Sequence, residues 1–141
     1  MIYANEETFA IGGLKVLRQS DKDVATVIGA GITLFEALKA HDQLKAAGTA
    51  IRVIDLYSVQ PVDQAALVAA GRATGGRLMT VEDHYAAGGI GDAVAEAVAD
   101  AGLTVQRLAV REIARSGKPE ELVERYGISA SHIVEAVNQI K

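Results

Sequence analysis

Apolar and polar positions follow two rhythms along the chain. Nearly continuous apolar runs rich in β-branched residues, at Val24–Ile28, Ile51–Ile54, Arg77–Val81 and Leu103–Val110, are separated by Ala-rich stretches of helical period. From Thr33 the positions Leu34, Ala37, Leu38 and Leu44 recur on one helical face, and Gly48 marks the stop. Asp63 supplies an N-cap for a helix through Leu67, Val68 and Ala70 to Gly71 or Thr74. Asp92–Ala101 gives the next helix, with Val94 and Val98 inward. Lys118–Tyr126 and Ser129–Ile140 give two more, the second capped by Ser129 or Ser131. Strands that are apolar along their length suit burial between two helix layers. Their alternation with helices predicts a parallel sheet with right-handed crossovers. Lys15–Arg18 is joined to Val24 by the turn Gln19–Asp23, too short for a parallel crossover, so it is expected antiparallel at an edge. The expected fold class is α/β, a three-layer α/β/α sandwich over residues 13–141, preceded by an irregular stretch at 1–12.

Composition narrows the function classes. The 141 residues carry 14 Lys+Arg against 18 Asp+Glu, a net charge of −4. That balance argues against nucleic acid as a partner, because such affinity comes from a basic face. The chain has no Cys, which removes disulfides, thiolate metal sites and a thiol nucleophile. Its first residues lack the basic and apolar regions of a secretory signal, and no run is long enough to span a membrane. A cytoplasmic, soluble domain is expected.

Two glycine-rich turns lie where open α/β sheets gather ligands, after a strand and before a helix. Gly29-Ala30-Gly31 offers two glycines of a dinucleotide fingerprint, but Leu34 stands where the third belongs; Asp55 ends the next strand near a ribose-binding position. The favoured reading is a tight turn that Gly29 and Gly31 permit. The second turn runs from Glu82, Asp83 and His84 through Gly88, Gly89 and Gly91 to Asp92. Its glycines and helix dipole suit an anion, yet the dipole contributes only about 0.3–1 kcal/mol, against about 8 kcal/mol for micromolar affinity. Its carboxylates work against an anion, so a subunit contact or structural turn is favoured. His84 has no second His at i+3 or i+4, and its strand neighbours point to the other face, so an oriented structural or interface role is expected. His41 and His132 are expected on solvated helix faces.

A third segment, Arg111–Pro119, holds Arg115, Ser116, Gly117 and Lys118 without the spacing of a phosphate-binding loop. A loop fixed by Arg115 hydrogen bonds is expected, with anion binding by Arg115, Ser116 and Lys118 as the alternative. Pro119 with Glu120 and Glu121 makes a good helix start. No complete active site emerges: the expectation is no catalytic, cofactor-binding or metal-ligating residue.

Four stretches together carry a resemblance: Val27–Leu38, Ile51–Asp63, Thr80–Val94 and Arg115–Leu122. In order and content they resemble the C-terminal domain of transketolase. The resemblance implies a five-stranded mixed sheet with one antiparallel strand. It also implies a parent enzyme that transfers two-carbon ketol units between sugar phosphates in the pentose phosphate pathway, using thiamine diphosphate and a divalent metal (Mg or Ca). In that family the N-terminal domain holds diphosphate and metal, and the central domain supplies the activating glutamate, so no cofactor is expected on this domain. Its implied partners are those two domains and a homodimer partner, and the domain is expected to be inactive by itself. The Gly88–Asp92 turn and the Arg115–Pro119 loop are the expected contacts. Two alternatives stand beside this reading: a regulatory nucleotide- or phosphate-binding module using Gly29, Gly31, Gly89 and Arg115, and a subunit of a split thiamine-diphosphate enzyme.

Overall fold

The computed structural model describes residues 11–141. They form β1 (Lys15–Arg18), β2 (Thr26–Gly29), α1 (Ile32–Ala46), β3 (Arg52–Asp55), α2 (Gln64–Ala73), β4 (Leu78–Tyr85), α3 (Ile90–Ala99), β5 (Val105–Val110), α4 (Pro119–Arg125) and α5 (Ala130–Ile140). The sheet order is β1-β3-β2-β4-β5, with β1 antiparallel to β3 and the other pairs parallel. The expected antiparallel edge strand is thus present. Ser20 closes the turn behind it, its N–H and hydroxyl each donating to the Asp23 carboxylate at 2.8 Å. Of the stretch expected to be irregular, Ile11 and Gly12 form a turn, and residues 1–10 lie outside the described residues.

Successive strand residues alternate between two cores. Val27, Val53, Met79 and Val81 pack against Leu34, Ala37 and Leu44 of α1 and Ile133, Ala136 and Val137 of α5. Ile28, Ile54 and Leu78 pack on the other face against Leu67 of α2 and Val94 and Val98 of α3. Each such Val, Leu, Ile or Met side chain, taken from water, contributes about 1.5–3 kcal/mol. Burial on both faces explains why the central strands read as nearly continuous apolar runs.

The helix starts differ in how they are capped. Asp63 Oδ1 accepts the Ala66 N–H at 3.0 Å, as its position predicts. At α5 neither candidate serine caps the backbone. Ser129 turns instead to Glu124 and His132, and the Ala130 N–H donates to Glu36 Oε2 of α1 at 2.9 Å. Glu36 is 7% exposed, and its other oxygen meets Lys39 Nζ at 2.7 Å. A side chain from the opposite end of the sequence therefore does the work expected of Ser129 or Ser131.

Candidate functional site

The parallel strands end on one edge of the sheet, at Gly29, Asp55, Tyr85 and Val110. At the first turn Gly31 adopts φ 60°, and a Cβ on Gly29 would stand 2.9 Å from the Leu34 amide nitrogen. Thr33 closes this turn locally, its hydroxyl donating to Ala30 O at 2.9 Å and accepting from Ala30 N at 3.2 Å. Asp55 is 5% exposed, so it does not present a carboxylate to a ribose. These glycines serve strand-to-helix geometry.

The β4–α3 turn is tied to the interior. Glu82 is 3% exposed, and its Oε2 accepts the Gly91 N–H at 2.6 Å. The Gly88 N–H donates to Asp92 Oδ2 at 2.6 Å, while Arg107 of β5 donates to Asp92 Oδ1. Two turn amides that an anion would need are thereby held by this chain's own carboxylates. A Cβ on Gly89 would fall 1.7 Å from Glu82 Oε1, and one on Gly91 would fall 2.9 Å from Glu82 Oε2. Close approach to a buried carboxylate therefore requires glycine at both positions.

Electrostatics separates the two acids. Burial pushes the Glu82 carboxyl above its ordinary pKa, with the Gly91 amide opposing. The Gly88 amide, and then Arg107, hold exposed Asp92 below the usual range. Glu82 Oε1 and the neighbouring Thr80 hydroxyl are buried without a hydrogen-bond partner among the described residues.

His84 lies two residues on, on the Glu82 side of the strand, while Asp83 is exposed. Its Nδ1 is 2.8 Å from Tyr85 O and 3.7 Å from Glu82 Oε1. A backbone carbonyl only accepts, so Nδ1 bears the proton there. A cavity of about 240 Å³ is lined by Ala30, Val59, Ile90, Glu82, Asp83 and His84, among others. A larger one of about 580 Å³ lies across Gly88 and Gly89, between the Val59–Val62 segment and Asp92, Glu96 and Asp100 of α3.

The β5–α4 loop is built differently. Residues 111–120 are exposed throughout. The Arg115 N–H donates to the Tyr126 hydroxyl at 2.6 Å, and the Ala114 N–H to the Tyr85 hydroxyl at 3.4 Å. The loop is thus fixed by a hydrogen bond of Arg115, as expected, made by its backbone N–H with Tyr126 as the acceptor. The side chains of Arg115, Ser116 and Lys118 stand on the surface near Pro119, which opens α4. Nothing brings them to the Glu82 turn. The other two histidines also differ from expectation. The His41 side chain is only 12% exposed, its Nδ1 3.0 Å from Asp42 Oδ1, and His132 is half-buried on Ser129. The His132 side chain keeps 35% of its surface exposed.

Sequence reasoning found Glu82, His84 and the glycines but missed Thr80, Arg107, Tyr85 and Tyr126. Only the strand alternation that aligns Thr80, Glu82 and His84 offered a signal. Among the described residues no three His, Asp or Glu side chains converge as a metal site, and no helix is long and apolar enough to cross a membrane.

Comparison with known proteins follows the same outline. Residues 12–133 match the family model described as transketolase, C-terminal domain. The chain is 52% identical over 138 residues to transketolase-like protein 2 of Mus musculus and 49% identical to transketolase of Homo sapiens. Each match covers 97% of this chain and 22% of the relative. A solved structure described as a split gene transketolase, inactive beta4 tetramer, is 34% identical with a TM-score of 0.89, covering 99% of this chain and 46% of that one. The transketolase of Campylobacter jejuni shares the fold at a TM-score of 0.64. The chain spans about a quarter of its curated relatives' length, and it belongs to the transketolase family as its C-terminal domain.

Proposed function

We propose that this domain is an architectural part of an enzyme that transfers ketol units between sugar phosphates, catalytically silent by itself. The observation that carries this is the carboxyl edge of the sheet. Ile32, Phe35, Val59, Tyr85 and Ile113 expose 38%, 50%, 38%, 49% and 72% of their surface there. Large apolar side chains gathered on one edge mark a surface made to be covered. The occupants are the N-terminal and central domains of the enzyme and its dimer partner, in a cytoplasmic setting.

Thiamine diphosphate does not fit the residues at this edge, and among the described residues no three His, Asp or Glu side chains converge to hold its metal. The Gly88 and Gly91 amides are held by Asp92 and Glu82, and acidic side chains line both cavities beside them. A diphosphate would meet repulsion where it needs donors. The same geometry weighs against the regulatory phosphate reading. A separately encoded subunit remains a second reading, favoured by the likeness to the split gene protein over 99% of this chain.

The test is turnover of xylulose 5-phosphate with ribose 5-phosphate, in the presence of thiamine diphosphate and Mg²⁺. The chain by itself should give none, and adding separately produced N-terminal and central domains should restore it. Phe35→Glu with Ile113→Glu should prevent that restoration while leaving the isolated chain folded. Turnover by the chain alone overturns the reading.

A further inference from the structure

Glu82 leaves an acceptor unused. Its Oε2 holds the Gly91 amide, but Oε1 has no donor among the described residues although the side chain is 3% exposed. The nearest candidate, His84 Nδ1, stands at 3.7 Å and is directed to Tyr85 O. Arg107, the cation nearest in the fold, is spent on Asp92. Buried acceptors in folded proteins almost always find a partner, so an orphan beside a cavity points to a donor from outside.

We propose that the cavity beside the Gly88–Gly89 turn binds a nitrogen cation, an alkylammonium or guanidinium group, with Glu82 Oε1 as its acceptor. Ala30, Val59 and Ile90 give apolar walls for the alkyl part of such a group. Among the described lining residues there is no Lys or Arg, and Asp83 stands at the rim. Across the turn Asp92, Glu96 and Asp100 extend the negative field. Gly89 lies directly against Oε1, since a Cβ there would fall 1.7 Å from it, so the donor enters from the His84 side. His84, 55% exposed on its side chain, forms the wall that turns aside to admit the donor. The resulting hydrogen bond is charge-assisted on both partners, the stronger class of such bonds. The cation is either a free small amine or a Lys or Arg side chain brought by a neighbouring domain. The second source rests on the architectural reading above; the site does not.

The experiment follows the Glu82 carboxyl carbon and the Gly91 amide by NMR in the whole chain. n-Butylammonium and n-butylguanidinium chlorides are titrated against matched NaCl, followed by Lys and Arg blocked at both backbone ends. Saturable shifts at both nuclei are expected, lost in Glu82→Gln and kept in Glu96→Gln with Asp100→Asn. At saturation the Glu82 titration midpoint should fall by about one pH unit for a tenfold preference for the ionised carboxyl. Asp83, His84, Asp92 and Arg107 are the other charged groups facing it. Should Glu82→Gln fail to fold, the wild-type midpoint decides. Shifts with the blocked residues as well as the butyl cations identify a side-chain donor; shifts with the butyl cations only identify a small amine. No saturation by roughly 100 mM cation, far above a millimolar Kd, overturns the proposal. So does a shift that persists in Glu82→Gln or vanishes with the two α3 substitutions. Because binding is read without turnover, its failure leaves the architectural reading standing, and failed reconstitution leaves the site standing.

Discussion

The β4–α3 turn and the β5–α4 loop look alike in sequence, each placing glycine and charge between a strand and a helix start. In the structure they are opposites. The first is pinned from beneath by a buried carboxylate that leaves no room for a side chain at Gly89. The second lies wholly on the surface, steadied by two tyrosine hydroxyls from other elements. Glycine in the first answers a packing demand; at Gly117 a Cβ would meet only the flexible tip of Leu122, at 3.1 Å. Similar loop chemistry therefore yields a rigid turn or a surface strap according to what the neighbouring strand buries.

The largest expected effect is on the pinned turn. Gly89→Ala should cost about 1–3 kcal/mol through overpacking against Glu82, read as a lower urea midpoint. In a double-mutant cycle with Glu82→Ala much of that cost should disappear, since the two sites touch. Additive costs would show that Gly89 is needed for some other reason and would erase the contrast.

A pH dependence comes next. Burial raises the folded pKa of Glu82 above its ordinary 4.5, so the folded state holds that proton more tightly than the unfolded chain. The stabilisation is complete below about 4.5 and is lost as pH rises through the raised folded value. Wild-type stability relative to Glu82→Gln should therefore fall across that window. Asp92 and Glu124, whose folded pKa values are lowered, titrate in the opposite direction in both proteins and largely cancel. A difference that is flat with pH would place Glu82 in a solvated setting.

The surface strap should respond least. Tyr126→Phe removes the acceptor for the Arg115 amide and should cost about 0.5–1 kcal/mol. Hydrogen exchange at Arg115 should quicken while amides of β4 keep their protection. Loss of β4 protection would mean that the two regions are one cooperative unit.

Most of the architecture was legible because it rests on period. Runs such as Val24–Ile28 are nearly all apolar because α1 and α3 cover opposite faces, and the short Gln19–Asp23 link forced β1 to be antiparallel. The alignment of Glu82 with His84 follows from strand alternation as well. What pattern could not show were contacts whose partners lie far along the chain. Tyr126 beneath Arg115 and Arg107 beside Asp92 carry no local signature. His41 appears among polar neighbours in sequence, yet its helix face turns inward and leaves the ring 12% exposed. The four family-like stretches supplied what local chemistry did not, namely the family, as the match over residues 12–133 bears out.

The Glu36–Ala130 bond gives the chain an order in time. Its two ends are 94 residues apart, so during synthesis the carboxylate of α1 emerges long before the amide it will hold. Until α5 leaves the ribosome, one face of the sheet lacks Ile133, Ala136 and Val137, and α1 has nothing to latch. A nascent chain stalled before that helix should stay sensitive to protease on the α1 face, and release of the last turn should close it in a single late step.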